Sequence, residues 1–144
     1  MPAYDSLTAA DVMTASPRSC TPYSTVLEAV MLFRDADCGA VPILADGKPV
    51  GILTDRDVAL AITEFADLPS RSVAEIMSKD PITVAPAAPV SEVEAKIAAN
   101  AVRRILVVDA SGVLVGVISL ADLARAGRSD ATLGRTVADV VEPK

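Results

Sequence analysis

Gly51-Ile52-Leu53-Thr54-Asp55-Arg56-Asp57 is answered later in the chain by Gly116-Val117-Ile118-Ser119-Leu120-Ala121-Asp122. Both stretches read glycine, two bulky apolar residues, a hydroxyl residue, two variable positions and an aspartate. The apolar half reads as the end of a buried strand, and the hydroxyl-x-x-carboxylate half as the first turn of a helix. A strand running into a helix N-terminus leaves unpaired backbone N–H groups and the positive end of a dipole at the junction. Phosphate is favoured at such a corner. The aspartate can point into the same space, where its two oxygens suit the vicinal hydroxyls of a ribose. A plainer reading is a capping box, in which hydroxyl and carboxylate only satisfy each other's backbone N–H groups. One copy alone favours the plainer reading, whereas two copies at equivalent places in a repeat favour a ligand.

Working outward, the repeat is clear. Ala9 to Met13 reads as a short helical turn before Pro17, and Arg18 to Thr21 as a short extended piece. Thr25 and Glu28 form a capping box that opens a helix to about Ala36, with Val26, Val30 and Phe33 on one face. Ala40 to Leu44 is a buried strand, Asp46-Gly47 a hairpin turn, and Val50 to Leu53 the return strand. Thr54 caps a helix to about Thr63. Val73 to Met77 then restarts the pattern. Pro81, Pro86, Val90 and Glu92 repeat Pro17, Pro22, Val26 and Glu28, all at one constant offset. Gly116 and Asp122 repeat Gly51 and Asp57 at an offset longer by one, so a single residue is inserted, by this reading near Ala101. The expected organisation is a first domain at 8–65, a linker at 66–71, a second domain at 72–127 and a tail at 128–144. In the tail, Val137-Ala138-Asp139-Val140 echoes the opening turn of each repeat and reads as a last short helix.

The implied fold class is α/β with mixed sheets, each repeat running β-α-β-β-α. A repeat of this size buries a marginal core alone. The two are therefore expected to pack sheet to sheet about a pseudo-twofold axis, with ligand clefts where they meet.

Composition removes other classes. The net charge of −6 argues against nucleic acid or an anionic membrane as main partner. No stretch approaches the roughly 20 apolar residues of a membrane span. The start of the chain, Met1 to Thr8, lacks the pattern of a signal peptide, which makes a cytoplasmic location the expectation. With no histidine, and with Cys20 and Cys38 as the only cysteines, neither zinc nor a histidine-activated nucleophile is expected. The two cysteines are expected to be reduced, with a redox-sensitive pair as the lesser alternative.

These motifs, two copies of Met-x-x-x-Pro, a capped helix, the strands Val41 to Leu44 and Leu106 to Asp109, and Gly-x-x-[Thr/Ser]-x-x-Asp, resemble a tandem CBS-domain pair, the Bateman module, over roughly Ala9 to Gly127. The resemblance implies a non-catalytic sensor for an adenosyl ligand: AMP, ADP or ATP, with S-adenosylmethionine or NAD as alternatives. It implies one cleft built from Ile52, Thr54, Asp57, Pro81, Ile82, Val102, Arg103 and Arg104. A second, weaker cleft would use Pro17, Arg18, Cys38, Gly39, Ala40, Val117, Ser119 and Asp122. The arginine pair favours the first cleft for phosphate. A homodimer through the helices flanking the clefts and an unidentified effector protein are the implied partners. The competing reading is a ligand-free interaction module on the same fold.

Overall fold

The structure, a computed structural model, describes residues 3–36 and 38–127. The short helix expected at Val137 to Val140 lies outside the described residues. In chain order the structure carries α1 (Ala9–Val12), β1 (Thr14–Ala15), α2 (Val26–Ala36), β2 (Ala40–Ala45), β3 (Lys48–Thr54), α3 (Asp55–Ala61), β4 (Ser78–Lys79), β5 (Thr83–Val84), α4 (Val90–Asn100), β6 (Arg104–Val108), β7 (Leu114–Ser119) and α5 (Leu120–Gly127). Single 3-10 turns lie at Tyr4–Ser6, Leu68–Ser70 and Val73–Glu75. The chain divides into two compact units, Pro17–Pro81 and Met1–Ser16 with Ile82–Lys144. The fold is mixed α/β, as its sequence implies.

In the unit of residues 17–81 the sheet order is β2-β3-β4, all antiparallel. The hairpin closes at Asp46-Gly47, both with positive φ (53° and 78°), the pairing a two-residue turn between right-twisted strands requires. Val26, Ala29, Val41, Ile43, Leu53, Ala61, Leu68 and Val73 form its core. Leu68 lies in the stretch read as a linker, yet it is buried and its 3-10 turn packs on α2. One buried leucine has no periodicity to betray it. The extended piece before α2 touches the sheet through a single bridge, Cys20 beside Ile43.

The other unit holds a four-stranded sheet, β1-β7-β6-β5, with β5 parallel to β6 and the other pairs antiparallel. Helix α4 turns Val90, Val93 and Ile97 inward onto Ile105, Val107, Ile118 and Leu123. It ends at Ala101, in the left-handed region at φ 53°. The extra residue is not here, contrary to the sequence expectation: Ala40 and Arg104 begin their strands at the same offset as Val26 and Val90, and Ile43 pairs with Gly51 as Val107 does with Gly116, so the insertion lies in the second hairpin turn between Val107 and Gly116. Tyr4 is also fully buried there, its hydroxyl donating to Glu94 Oε2 at 3.1 Å.

The compact units do not coincide with the sequence repeats. The opening segment of the first repeat, α1 and β1, pairs with β7: Thr14 opposite Val117 and Ala15 opposite Gly116. The opening segment of the second repeat, the turn at Val73–Glu75 and β4, pairs with β3: Ser78 opposite Ile52 and Lys79 opposite Gly51. Each segment is a strap, a short helical turn followed by a very short strand. Sequence marks the turn through its capping box, whereas such short strands leave no alternation to read. Gly51 and Gly116 are required here, because a Cβ on either would collide with the sulfur of the strap methionine, Met77 or Met13.

Candidate functional site

In the first repeat, β3 delivers Thr54 to the N-cap of α3. Thr54 Oγ1 accepts from the Asp57 N–H at 3.1 Å, and Asp57 Oδ2 accepts from the Thr54 N–H at 2.9 Å. In the second, Ser119 Oγ accepts from the Asp122 N–H at 3.1 Å, and Asp122 Oδ2 accepts from the Ser119 N–H at 2.8 Å. Both motif corners are therefore capping boxes. Each box uses one carboxylate oxygen and leaves the other.

The fate of that second oxygen separates the corners. Asp122 Oδ1 takes a hydrogen bond from Arg125 Nη2, one turn along α5, and the aspartate is 7% exposed. Asp57 is half-buried, and no described residue donates to its Oδ1. Asp57 thus offers an acceptor to a ligand, while Asp122 would first have to release Arg125. Arg125 lies outside the repeated motif, so motif reading does not mark it as a site residue. Its i, i+3 spacing from Asp122 on a helix is the signal that could have found it.

The residues before each buried strand lie beside the motif of their own repeat. Ala40 pairs with Thr54, Pro42 with Ile52, and the Asp55 N–H donates to the Gly39 carbonyl at 2.9 Å. Arg104 pairs with Ser119, and the Leu120 N–H donates to the Arg103 carbonyl at 3.1 Å. Arg103, Arg104 and Arg125 consequently share a pocket of about 500 Å³ with Ser119, Leu120, Ala121 and Ala124. Three guanidinium groups and a hydroxyl at a helix start form an anion-binding set. By contrast Asp57 lines a smaller pocket of about 270 Å³ with Leu60, Ala61, Glu64, Phe65, Glu75 and Ile76. That pocket is acidic, so it suits hydroxyl or amine donors rather than phosphate.

The sequence-expected site sets are distributed over both units. Ile52, Thr54, Asp57 and Pro81 lie in the unit of residues 17–81, as do Pro17, Arg18, Cys38, Gly39 and Ala40. Ile82, Val102, Arg103, Arg104, Val117, Ser119 and Asp122 lie in the other. Arg18 and Arg103 are exposed, and most of the rest are half-buried. Cys20 and Cys38 are free thiols, and burial pushes the Cys20 thiol above its ordinary pKa, which lowers its thiolate fraction. Among the described residues no cluster of three His, Cys, Asp or Glu could hold a metal ion.

The CBS-domain family model matches residues 9–64 and 73–129. The chain belongs to the CBS-domain family. It is 34% identical over 134 residues to the uncharacterized protein YlbB of Bacillus subtilis, covering 92% of this chain and 90% of YlbB. It is 32% identical over 120 residues to hypoxic response protein 1 of Mycobacterium tuberculosis, covering 82% of this chain and 83% of that one. Among solved structures it superposes on the CBS-domain pair of MJ0100 with a TM-score of 0.74 and 26% identity, over 82% of this chain and 93% of that one. MJ0100 was solved in complex with 5′-methylthioadenosine and S-adenosyl-L-methionine.

Proposed function

We propose that this CBS-domain protein is a non-catalytic regulatory module that binds an adenosine nucleotide of the AMP, ADP or ATP class and passes its bound state to a partner protein. One observation carries the reading: each Thr/Ser-x-x-Asp corner keeps one carboxylate oxygen for its cap, and at Asp57 the other is open. A packing role needs only the first oxygen. A ribose diol needs the second. In the other unit, the pocket that Arg103, Arg104 and Arg125 share with Ser119 carries cationic chemistry that suits phosphate. The adenosyl ligands of MJ0100 support the ligand class.

Asp57 is proposed as the ribose acceptor and Thr54 as its positioning partner, with Ile52, Pro81, Ile82 and Val102 as apolar contacts to the base. Arg103 and Arg104 are proposed as phosphate ligands. The second set, with Val117, Ser119 and Asp122, is proposed as the weaker one, because Asp122 is already engaged by Arg125.

A second copy of the chain is the proposed structural partner. Leu27 and Met31 on α2 and Leu60 on α3 are exposed, at 52%, 44% and 55%, and Tyr23 and Ile62 beside these helices are more exposed still. Apolar groups spaced i, i+4 on one helix, with a neighbour on the next, suit a helix-packed interface. This face equally favours the competing reading, an interaction module without ligand.

A thermal-shift panel separates the readings. At 100-fold excess over Kd a ligand that binds only the folded state adds about 2.7 kcal/mol. AMP, ADP, ATP, S-adenosylmethionine and NAD are each tested on the full chain and on Asp57→Asn. A shift with an adenine nucleotide that Asp57→Asn abolishes supports the sensor. A folded chain that none of them shifts supports the interaction module.

A further inference from the structure

Three differences between the repeats meet at one place. At the repeat offsets, Gly39, Ala40 and Leu60 of the first are answered by Arg103, Arg104 and Arg125 of the second. Arg103 and Arg104 precede the motif of their repeat by a whole hairpin, and Arg125 follows it on α5. All three nevertheless line one pocket of about 500 Å³, within the unit that holds β7 and α5. Among the described residues no carboxylate lines it. The chain as a whole carries a net charge of −6, so this positive charge is local.

Arg125 is the one member of the set already engaged. Its Nη2 donates to Asp122 Oδ1, the oxygen that the capping box leaves over. Asp122 is buried, and a buried carboxylate needs a partner. Arg125 itself is 59% exposed, and a guanidinium carries five N–H donors, so a ligand can reach it from solvent. Among the described residues the side chains of Arg103 and Arg104 have no ion-pair partner. An uncharged diol that took the Asp122 oxygen would leave Arg125 without its counter-ion. A phosphate removes that cost, because it gives the guanidinium a new anion. A ligand with both groups makes both exchanges at once: its phosphate takes Arg125, and its hydroxyls take the oxygen released.

We propose that Arg125 is a specificity latch on the second corner, closed on Asp122 against uncharged adenosyl ligands and opened by a ligand that brings phosphate to Arg103, Arg104 and Arg125. Phosphorylated adenosyl ligands are thereby selected over adenosine and 5′-methylthioadenosine at Asp122. Asp57 has no such filter, since Leu60 stands at its latch position. The latch rests on the reading of the Thr/Ser-x-x-Asp corners as ribose acceptors, whereas the anion pocket does not.

Calorimetric titrations of adenosine, AMP and inorganic pyrophosphate test this on the full chain carrying Asp57→Asn, so that the second corner is read alone. Arg125→Leu gives the second corner the side chain of the first. The expected result is a pair of opposite shifts, with adenosine bound about tenfold more tightly and pyrophosphate about tenfold more weakly. The preference for AMP over adenosine should fall by at least about tenfold. A merely structural role for Arg125 would weaken all three together. Adding Asp122→Asn also removes the buried charge that Arg125→Leu leaves unpaired. It should abolish the gain for adenosine and keep the loss for pyrophosphate. An unchanged preference for AMP over adenosine overturns the latch, and so does pyrophosphate binding indifferent to Arg125→Leu. Where AMP still binds the parent chain, either result overturns the latch alone. Absence of adenosine and AMP binding from the parent and every variant overturns the nucleotide reading as well.

Discussion

Asp57 and Asp122 occupy the same motif position and make the same cap, yet their free oxygens differ, and function is argued from that difference. Asp57→Asn keeps an oxygen that can accept from the Thr54 N–H, so its stability should change little. It replaces the charged acceptor offered to a ribose by an amide N–H donor, where charge-assisted hydrogen bonds contribute about 1.5–3 kcal/mol. Nucleotide affinity should fall roughly tenfold to a hundredfold. Asp122→Asn should instead loosen Arg125 and leave affinity nearly unchanged, and calorimetric titration checks both. The capping boxes were legible in the sequence because hydroxyl and acid lie at the i, i+3 spacing. The state of Oδ1 was not, since it depends on whether a cation reaches back from the next turn. The two glycines make a second contrast. The three atoms nearest a Cβ at Gly116 all belong to the Met13 side chain, whereas one at Gly51 also lies 2.9 Å from the Ser78 carbonyl oxygen. Gly51→Ala should therefore cost more, about 1–3 kcal/mol, than Gly116→Ala, as read from denaturant midpoints.

At the scale of elements, the segment Tyr4–Ser6 is anchored on α4 by the part-buried Tyr4–Glu94 hydrogen bond. Burial chiefly raises the Glu94 pKa; the Tyr4 hydrogen bond opposes that shift, and Asp5 adds to it. A carboxyl whose pKa is higher folded than unfolded binds more protons in the folded state. Its contribution to stability is thus greatest at acid pH and declines as pH rises from the unfolded pKa through the folded one. Glu94→Gln keeps an acceptor for Tyr4 and should flatten this dependence between about pH 4 and neutrality, measured as Tm against pH. Periodicity made α2 and α4 and the two hairpins readable, because their apolar faces repeat over several turns or strand residues. The strap strands β1 and β4, with 2 residues each, carry no such pattern. The consequence at element scale is the exchanged strap, by which each compact unit contains the opening segment of the other repeat.

At the scale of the whole molecule, duplication made the family readable before any coordinates. Two motif copies, two capped helices and a constant offset are more specific than any one of them. Ligand identity was not readable, since phosphate number depends on where arginine side chains reach. The exposed apolar face of α2 and α3 belongs to this scale as well. Leu27→Asp with Met31→Asp should convert a dimer to monomer with the fold intact, and sedimentation velocity alongside far-UV circular dichroism checks it. No helix among the described residues is long and apolar enough to cross a membrane. The central claim is that an adenosine nucleotide is held through the open oxygen of Asp57. Isothermal titration of AMP into the full chain and into Asp57→Asn tests it most directly. A saturable isotherm for the parent that weakens at least about tenfold in Asp57→Asn, with equal Tm for the two free chains, is the predicted result. An isotherm unchanged by Asp57→Asn would contradict the account.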